Sequence, residues 1–138
     1  MSSPTKINHI GIAVHDIEEA SKYYTETLGL SIGGVEEVPE QRVKVAFIPV
    51  GEVNLELLEP TSPDSPVAKF LEKNGPGIHH IAYQVADVEG EVTRLLDAEV
   101  RMVDKTPRKG AHDCLIAFLH PKESGGVLTE LVQPADHG

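Results

Sequence analysis

The sequence has only one cysteine, Cys114, so an internal disulfide is excluded and a reducing compartment is favoured. It also lacks any apolar run close to the roughly 20 residues that a membrane-spanning helix needs. The first residues contain no apolar segment of the kind found in secretory signals, so a cytoplasmic location is expected. With 138 residues, 40% of them hydrophobic, the chain has the size and composition of one globular domain.

Basic residues are few, since 12 Lys and Arg stand against 22 Asp and Glu and the formal net charge is −10. Such a charge repels phosphate polymers and anionic membranes, so neither nucleic acid nor membrane is expected as a partner. The densest basic cluster consists of Lys105, Arg108 and Lys109. It could bind a small anionic ligand, and the alternative for so small a cluster is a solvated loop.

What the sequence does contain is an internal repeat. Residues 8–18, NHIGIAVHDIE, recur as residues 79–89, HHIAYQVADVE, at an offset of 71. Later, LELLEP at 55–60 recurs as TELVQP at 129–134, at an offset of 74. A shorter match, AFI at 46–48 and AFL at 117–119, keeps the offset of 71. The two halves are therefore expected to fold alike.

Hydrophobic periodicity and turn residues predict the order β-α-β-β-β in each half. Asp16 and Asp87 are the predicted helix N-caps, Gly29 ends the first helix, and Ser65 with Pro66 begins a helix between the halves. The predicted strands span residues 6–14, 30–35, 43–49, 53–58, 78–85, 100–103, 115–119 and 127–132. We expect one domain over residues 1–138, with module one at about 6–60, a linking helix at about 61–76 and module two at about 77–134.

One His and one Glu occupy matched positions in each half: His9 and Glu56 in the first, His80 and Glu130 in the second. A carboxylate inside an apolar strand is costly unless it is paired, and a divalent cation would satisfy both glutamates while the imidazoles donate nitrogen. Such a mixed set suits Zn, Co, Ni, Mn or Fe(II). The alternative is four ordinary strand residues facing solvent, and their recurrence favours the metal site.

A second candidate contact lies in the basic segment of the second half. His112 follows Gly110 and Ala111, and small residues there could bring backbone N–H groups close to an anion. The other histidines are expected to be surface or structural residues: His15, His79, His120 and His137.

Five stretches between Ile7 and about Pro134 resemble the vicinal oxygen chelate superfamily and, within it, the methylmalonyl-CoA epimerase family. They are NHIGIAVHDIEEASKYY, VPEQRVKVAF, ELLEPTSPDSPVAKFLEKNGPGIHHIAY, PRKGAH and FLHPKESGGVLTELVQP. The resemblance implies an α+β fold in which two tandem β-α-β-β-β modules form a curved, incompletely closed mixed sheet. It also implies a homodimeric isomerase of propionate metabolism, which interconverts the R and S forms of methylmalonyl-CoA through an enolate.

By the same resemblance, the metal ligands are His9, Glu56, His80 and Glu130, and the ion is Co, Mn, Zn or Ni. Glu130 and Glu56 would be the acid–base residues. The candidate substrate contacts are Arg108, Gly110, Ala111 and His112.

One position departs from the family. Some members carry Gln where this chain has Glu56, together with a separate Glu on the preceding strand as a base. That strand position is Val45 here. Either Glu40 substitutes from the loop, or Glu56 and Glu130 serve as both ligands and acid–base pair, which is the favoured interpretation.

Three other functions suit parts of this pattern. A glyoxalase I-type lactoylglutathione lyase resembles the chain in fold and ligand set, but SPVAKFLEKNGPGIHH and FLHPKESGGVLTEL favour the epimerase. An extradiol-type Fe(II) dioxygenase would use two His and one Glu and usually has a longer chain. A non-enzymatic protein that sequesters ligands would not need four metal-ligating residues.

Overall fold

The computed structural model describes residues 3–135, and His137, expected to be exposed, lies outside that range. The strands are β1 (Lys6–Ala13), β2 (Gly34–Val38), β3 (Val43–Val50), β4 (Val53–Pro60), β5 (Gly77–Gln84), β6 (Arg108–Lys109), β7 (Leu115–Leu119) and β8 (Leu128–Gln133). The helices are α1 (Ile17–Lys22), α2 (Pro66–Asn74) and α3 (Val88–Asp97). Within the described residues, no helix is long and apolar enough to cross a membrane.

One of two compact units comprises residues His9–His79. Its strand order is β2-β3-β4-β1, with β1 parallel to β4 and the other pairs antiparallel. Gly51, at a φ of 61°, lies in the tight turn between β3 and β4 and sets their register, so that Phe47 lies opposite Glu56. The core cluster of this unit comprises Val14, Ile17, Ala46, Ile48 and Leu57.

The described residues of the second unit lie within Met1–Asn8 and His80–Gly138. Its strand order is β5-β8-β7-β6, with β5 parallel to β8 and the other pairs antiparallel. The core cluster comprises Val85, Val88, Val92, Met102, Ala117 and Leu131. The element order β-α-β-β-β therefore occurs in both halves of the sequence, as the repeat predicts.

The repeat LELLEP/TELVQP has a structural role at the start of a helix in each half. Oε1 of Glu59 accepts a hydrogen bond from the backbone N–H of Ile17 at 2.8 Å. Oε1 of Gln133 accepts one from the N–H of Val88 at 3.0 Å. Each side chain thus satisfies one of the N–H groups that the first turn of a helix leaves without a partner.

The structure corrects two predicted strands. Residues 100–103 form only an isolated bridge, Met102 to Leu119, because Val103 and Asp104 both donate their N–H to the carbonyl of Phe118 and no ladder continues. The short strand of this half is β6 instead. In the first half the strand predicted at 30–35 begins later, at Gly34. The first helix is also shorter than predicted, and a π-helical turn, Tyr23–Thr27, follows it before Gly29.

Candidate metal centre

The first module brings His9 into contact with Glu56. Nδ1 of His9 lies 3.2 Å from Oε2 of Glu56. Gly11 is the register partner of Glu56 across the parallel strands, so His9 lies two residues before that partner, on the same face of β1. This is the buried face, which His9 shares with Gly11 and Ala13.

The second module repeats this arrangement. Nε2 of His80 lies 2.8 Å from Oε1 of Glu130. Ala82 is the register partner of Glu130, just as Gly11 is the register partner of Glu56 in the first module. The two pairs therefore have the same register, while the imidazole nitrogen that contacts the carboxylate differs between them.

All four side chains are buried, with exposed fractions of 6% for His9, 7% for Glu56, 4% for His80 and 4% for Glu130. The alternative in which they are ordinary strand residues facing solvent is therefore wrong. Buried charges are tolerated when they are paired or when they bind a metal, and each carboxylate here has a basic partner. Imidazole and carboxylate are donors that suit a divalent transition metal, so the residues present fit such an ion.

A phenylalanine lies across the hairpin from each glutamate. Phe47 is the partner of Glu56 on β3, and Phe118 is the partner of Glu130 on β7. The rings of Phe118 and His80 meet edge to face, with centroids 5.5 Å apart. Sequence reasoning did not assign these two phenylalanines to the site, where the Phe118 ring contacts the imidazole of His80. The repeated AFI/AFL match was the signal that could have identified them.

The predicted substrate contact Arg108 lies close to the second pair. Its Cζ atom is 5.6 Å from the centroid of the Phe118 ring, and its Nε is 3.1 Å from Oδ1 of Asp104. The other two basic residues of the cluster, Lys105 and Lys109, are exposed. Only one member of the predicted basic cluster is therefore packed into the structure.

The structure changes the expectation for the small residues beside His112. The N–H of Gly110 donates to the carbonyl of Cys114 at 2.9 Å, so it is paired within the loop and the expected anion contact through this group is not supported. Gly110 packs tightly, since a Cβ there would lie 3.0 Å from Ile116. Ala111 and His112 form a 3-10 turn with Asp113, in which His112 is exposed at a φ of 56°.

The strand position at which some family members carry a separate base has no carboxylate in this chain. Val45 is 2% exposed and lies on the same face of β3 as Phe47. Glu40 lies in the 3-10 turn Pro39–Gln41 and is exposed. Within the first module, Glu56 is thus a buried carboxylate and Glu40 a solvent-facing one.

Three of the remaining histidines, His15, His79 and His120, lie in the described part of the chain and agree with the expected surface or structural roles. His15 is exposed. Nδ1 of His120 accepts a hydrogen bond from the N–H of Lys122 at 3.1 Å and so begins the turn Pro121–Ser124. His79 is half-buried, with its ring 5.1 Å from that of Phe70.

A family model described as the glyoxalase/bleomycin resistance protein/dioxygenase superfamily matches residues 8–118. The Bacillus subtilis protein YqjC is 46% identical over 129 residues, which cover 94% of this chain and 92% of that protein. An ethylmalonyl-CoA/methylmalonyl-CoA epimerase of Cereibacter sphaeroides is 43% identical over 130 residues, covering 93% and 97%. The chain belongs to the methylmalonyl-CoA epimerase family of this superfamily.

The fold agrees with that membership. A substituted Streptomyces coelicolor methylmalonyl-CoA epimerase, solved in complex with 2-nitronate-propionyl-CoA, has a TM-score of 0.92. It is 44% identical, and the match covers 96% of both chains. The α+β fold predicted from the vicinal oxygen chelate resemblance is therefore confirmed, and the chain belongs to a family of isomerases.

Proposed function

We propose that this protein interconverts (R)- and (S)-methylmalonyl-CoA by removing the α-proton and returning it to the opposite face. The observation that carries the proposal is the pair of buried His–Glu contacts, one per module, at identical register on parallel strands. Epimerisation needs one proton-transferring group on each side of the α-carbon, and a duplicated module supplies two carboxylates. The relatives named as epimerases of methylmalonyl-CoA support the substrate.

His9, Glu56, His80 and Glu130 would together hold one divalent ion, which we propose to be Co, Mn, Zn or Ni. Their burial, the His–Glu contact within each module and their mixed nitrogen and oxygen donors support this. When bound, such an ion acts as a Lewis acid that stabilises negative charge on the carboxylate and thioester oxygens of the substrate.

The proton transfers are the work of the two carboxylates. One of them accepts the α-proton as the C–H bond breaks, and the electron pair remains in an enolate conjugated with the thioester. The other carboxylate, in its protonated form, gives a proton to the opposite face and so restores the C–H bond. We propose Glu130 and Glu56 for these roles, and a positioned base of this kind contributes about 10²- to 10⁴-fold to the rate.

Substrate binding would come from the second module. Among the proposed substrate contacts, Arg108 carries a permanent positive charge and packs on Phe118, and Ala111 and His112 follow in the adjoining turn. Gly110 would contribute by its close packing against Ile116, since its N–H is already paired. Three expectations stay predictions: the single-domain organisation, the homodimer and the cytoplasmic location. Light scattering tests whether the protein is a homodimer.

The deciding experiment is deuterium incorporation at C2 of methylmalonyl-CoA in D₂O, with and without a chelator. We expect rapid incorporation and inversion, both abolished by the chelator and restored by a divalent metal. His80→Ala should lose bound metal and activity together, with metal content measured independently. Formation of lactoylglutathione from its hemithioacetal without epimerisation would overturn the proposal in favour of a glyoxalase I-type lyase.

A further inference from the structure

Asp104 connects Arg108 to the strand that carries Phe118. Its Oδ2 accepts a hydrogen bond from the backbone N–H of Phe118 at 2.9 Å, while its Oδ1 lies 3.1 Å from Nε of Arg108. The backbone N–H of Asp104 donates in turn to the carbonyl of Phe118 at 3.2 Å. One carboxylate is thereby fixed to β7 at both its backbone and its side chain.

The group that this carboxylate holds is a guanidinium close to the proposed catalytic pair. The Cζ of Arg108 lies 5.6 Å from the centroid of the Phe118 ring, which meets the ring of His80 at 5.5 Å. His80 in turn contacts Glu130 at 2.8 Å. From Asp104 to Glu130 there is thus a continuous series of contacts within the second module.

The side chain of Asp104 is more buried than that of Arg108, as expected if Asp104 anchors the guanidinium. The side chain of Asp104 is 14% exposed, whereas that of Arg108 is 38% exposed. Nε of Arg108 is buried and has no aligned hydrogen-bond partner among the described residues, so its contact with Asp104 is an ion pair that fixes the inner end of the guanidinium. The outer end is the part available to an anion, and a planar guanidinium matches carboxylate and phosphate oxygens.

We propose that Asp104 is a positioning residue, which orients the guanidinium of Arg108 over Phe118 so that it binds an anionic oxygen of the acyl-CoA substrate. The inference rests on the proposed function for the identity of that substrate. Without Asp104, Arg108 would have to be ordered on every binding event, because a free arginine side chain samples many rotamers. The oxygen belongs either to the acyl carboxylate or to a phosphate of CoA.

The test is Asp104→Asn, which keeps an oxygen to accept the Phe118 N–H but removes the charge that holds Arg108. We expect KM to rise on the order of tenfold, with kcat and metal content nearly unchanged, since the guanidinium contributes to binding. Asp104→Glu should recover part of the loss. The matched control is Glu123→Gln, which breaks an exposed ion pair of the same module, Arg101 Nε to Glu123 Oε2 at 2.8 Å.

A double-mutant cycle separates positioning from a structural role. In an Arg108→Gln background, Asp104→Asn should raise KM no further, because the group through which it acts is absent. An equal increase in both backgrounds, or an unchanged KM in the single variant, would overturn the proposal. Thermal unfolding midpoints, measured for each variant, ensure that only folded protein is compared.

Two further measurements identify the oxygen and separate this inference from the proposed function. The KM of Asp104→Asn relative to wild type is measured again with methylmalonyl-pantetheine, which lacks the nucleotide phosphates. If the increase in KM persists, Arg108 binds the acyl carboxylate, and if the increase disappears, Arg108 binds a phosphate of CoA. Either result supports the positioning role of Asp104. Calorimetric dissociation constants for methylmalonyl-CoA give the same comparison without turnover. Wild-type protein that binds but exchanges no proton contradicts the proposed function alone, whereas equal affinity of Asp104→Asn contradicts the positioning role alone.

Discussion

Replacing Glu56 with Gln tests the dual role of the buried carboxylates. The change removes the charge next to Nδ1 of His9 but keeps an oxygen in the same place. Loss of one partner of a buried pair costs about 3–5 kcal/mol, and the retained hydrogen-bond acceptor reduces this to roughly 2 kcal/mol. In metal-free protein the unfolding midpoint should therefore fall by about 6–10 °C. Glu130→Gln is the matched variant and, since its contact of 2.8 Å is shorter, should cost at least as much.

The effect on catalysis should depend on which epimer is supplied. If Glu56 and Glu130 act on opposite sides of the α-carbon, Glu56→Gln retains one of the two acid–base groups. Glu130 can still remove and return a proton on its own side, so one epimer should incorporate deuterium without inverting. Inversion should slow by about 10²- to 10⁴-fold, the usual contribution of a positioned acid or base. Glu130→Gln should show the same behaviour with the other epimer.

The assay incubates each epimer separately in D₂O and follows isotope content by mass spectrometry and configuration by a stereospecific coupled reaction. Metal content is measured on the same samples, because Glu56 is also a proposed ligand. Inversion at the wild-type rate with full metal occupancy would refute the acid–base role of Glu56. Loss of exchange from both epimers in parallel with loss of metal would support the ligand role of Glu56, so the acid–base role is judged at full metal occupancy.

Two further predictions concern the fold. Glu59→Ala and Gln133→Ala should each lower stability by about 1 kcal/mol in chemical denaturation, because each removes the acceptor for the first N–H of a helix; unequal effects would contradict their equivalence. Gly110→Ala should destabilise by about 1–2 kcal/mol, because the new Cβ would lie 3.0 Å from Ile116. Gly34→Ala, which has no atom within 4 Å of the added Cβ, is its control and should have no such cost.

The sequence was sufficient to predict the elements that hold the proposed ligands. The strands of His9, Glu56, His80 and Glu130 and the caps Asp16, Ser65 and Asp87 lie where apolar alternation and capping residues indicated. The aromatic partner of Glu56 could also have been predicted from the sequence. A two-residue turn at 51–52 fixes the hairpin register, and that register puts Phe47 directly opposite Glu56.

Other features depend on contacts that no local pattern encodes. The β-branched and apolar residues Val100, Met102 and Val103 suggested a strand, but Glu99 adopts a φ of 63° after α3, and the chain then pairs with β7 only at a single bridge. The role of Asp104 was not visible in the sequence, because its partners are the backbone N–H of Phe118 on β7 and the side chain of Arg108 on the short strand β6. The choice of Nδ1 in His9 and Nε2 in His80 is likewise made by ring orientation in the packed structure.

A difference between the two repeated halves explains why anion binding should be unequal between the modules. Val45 and Ile116 are equivalent by the repeat, and their neighbours across the sheet are Glu36 on β2 and Arg108 on β6. Equivalent places in the sheet thus carry an acidic residue in one module and a basic residue in the other. In a chain with a net charge of −10, the basic residue at the second of these places favours binding of an anionic substrate there. Under the proposed function, each module would supply one carboxylate for proton transfer, and the second module would supply the positive charge that binds the substrate.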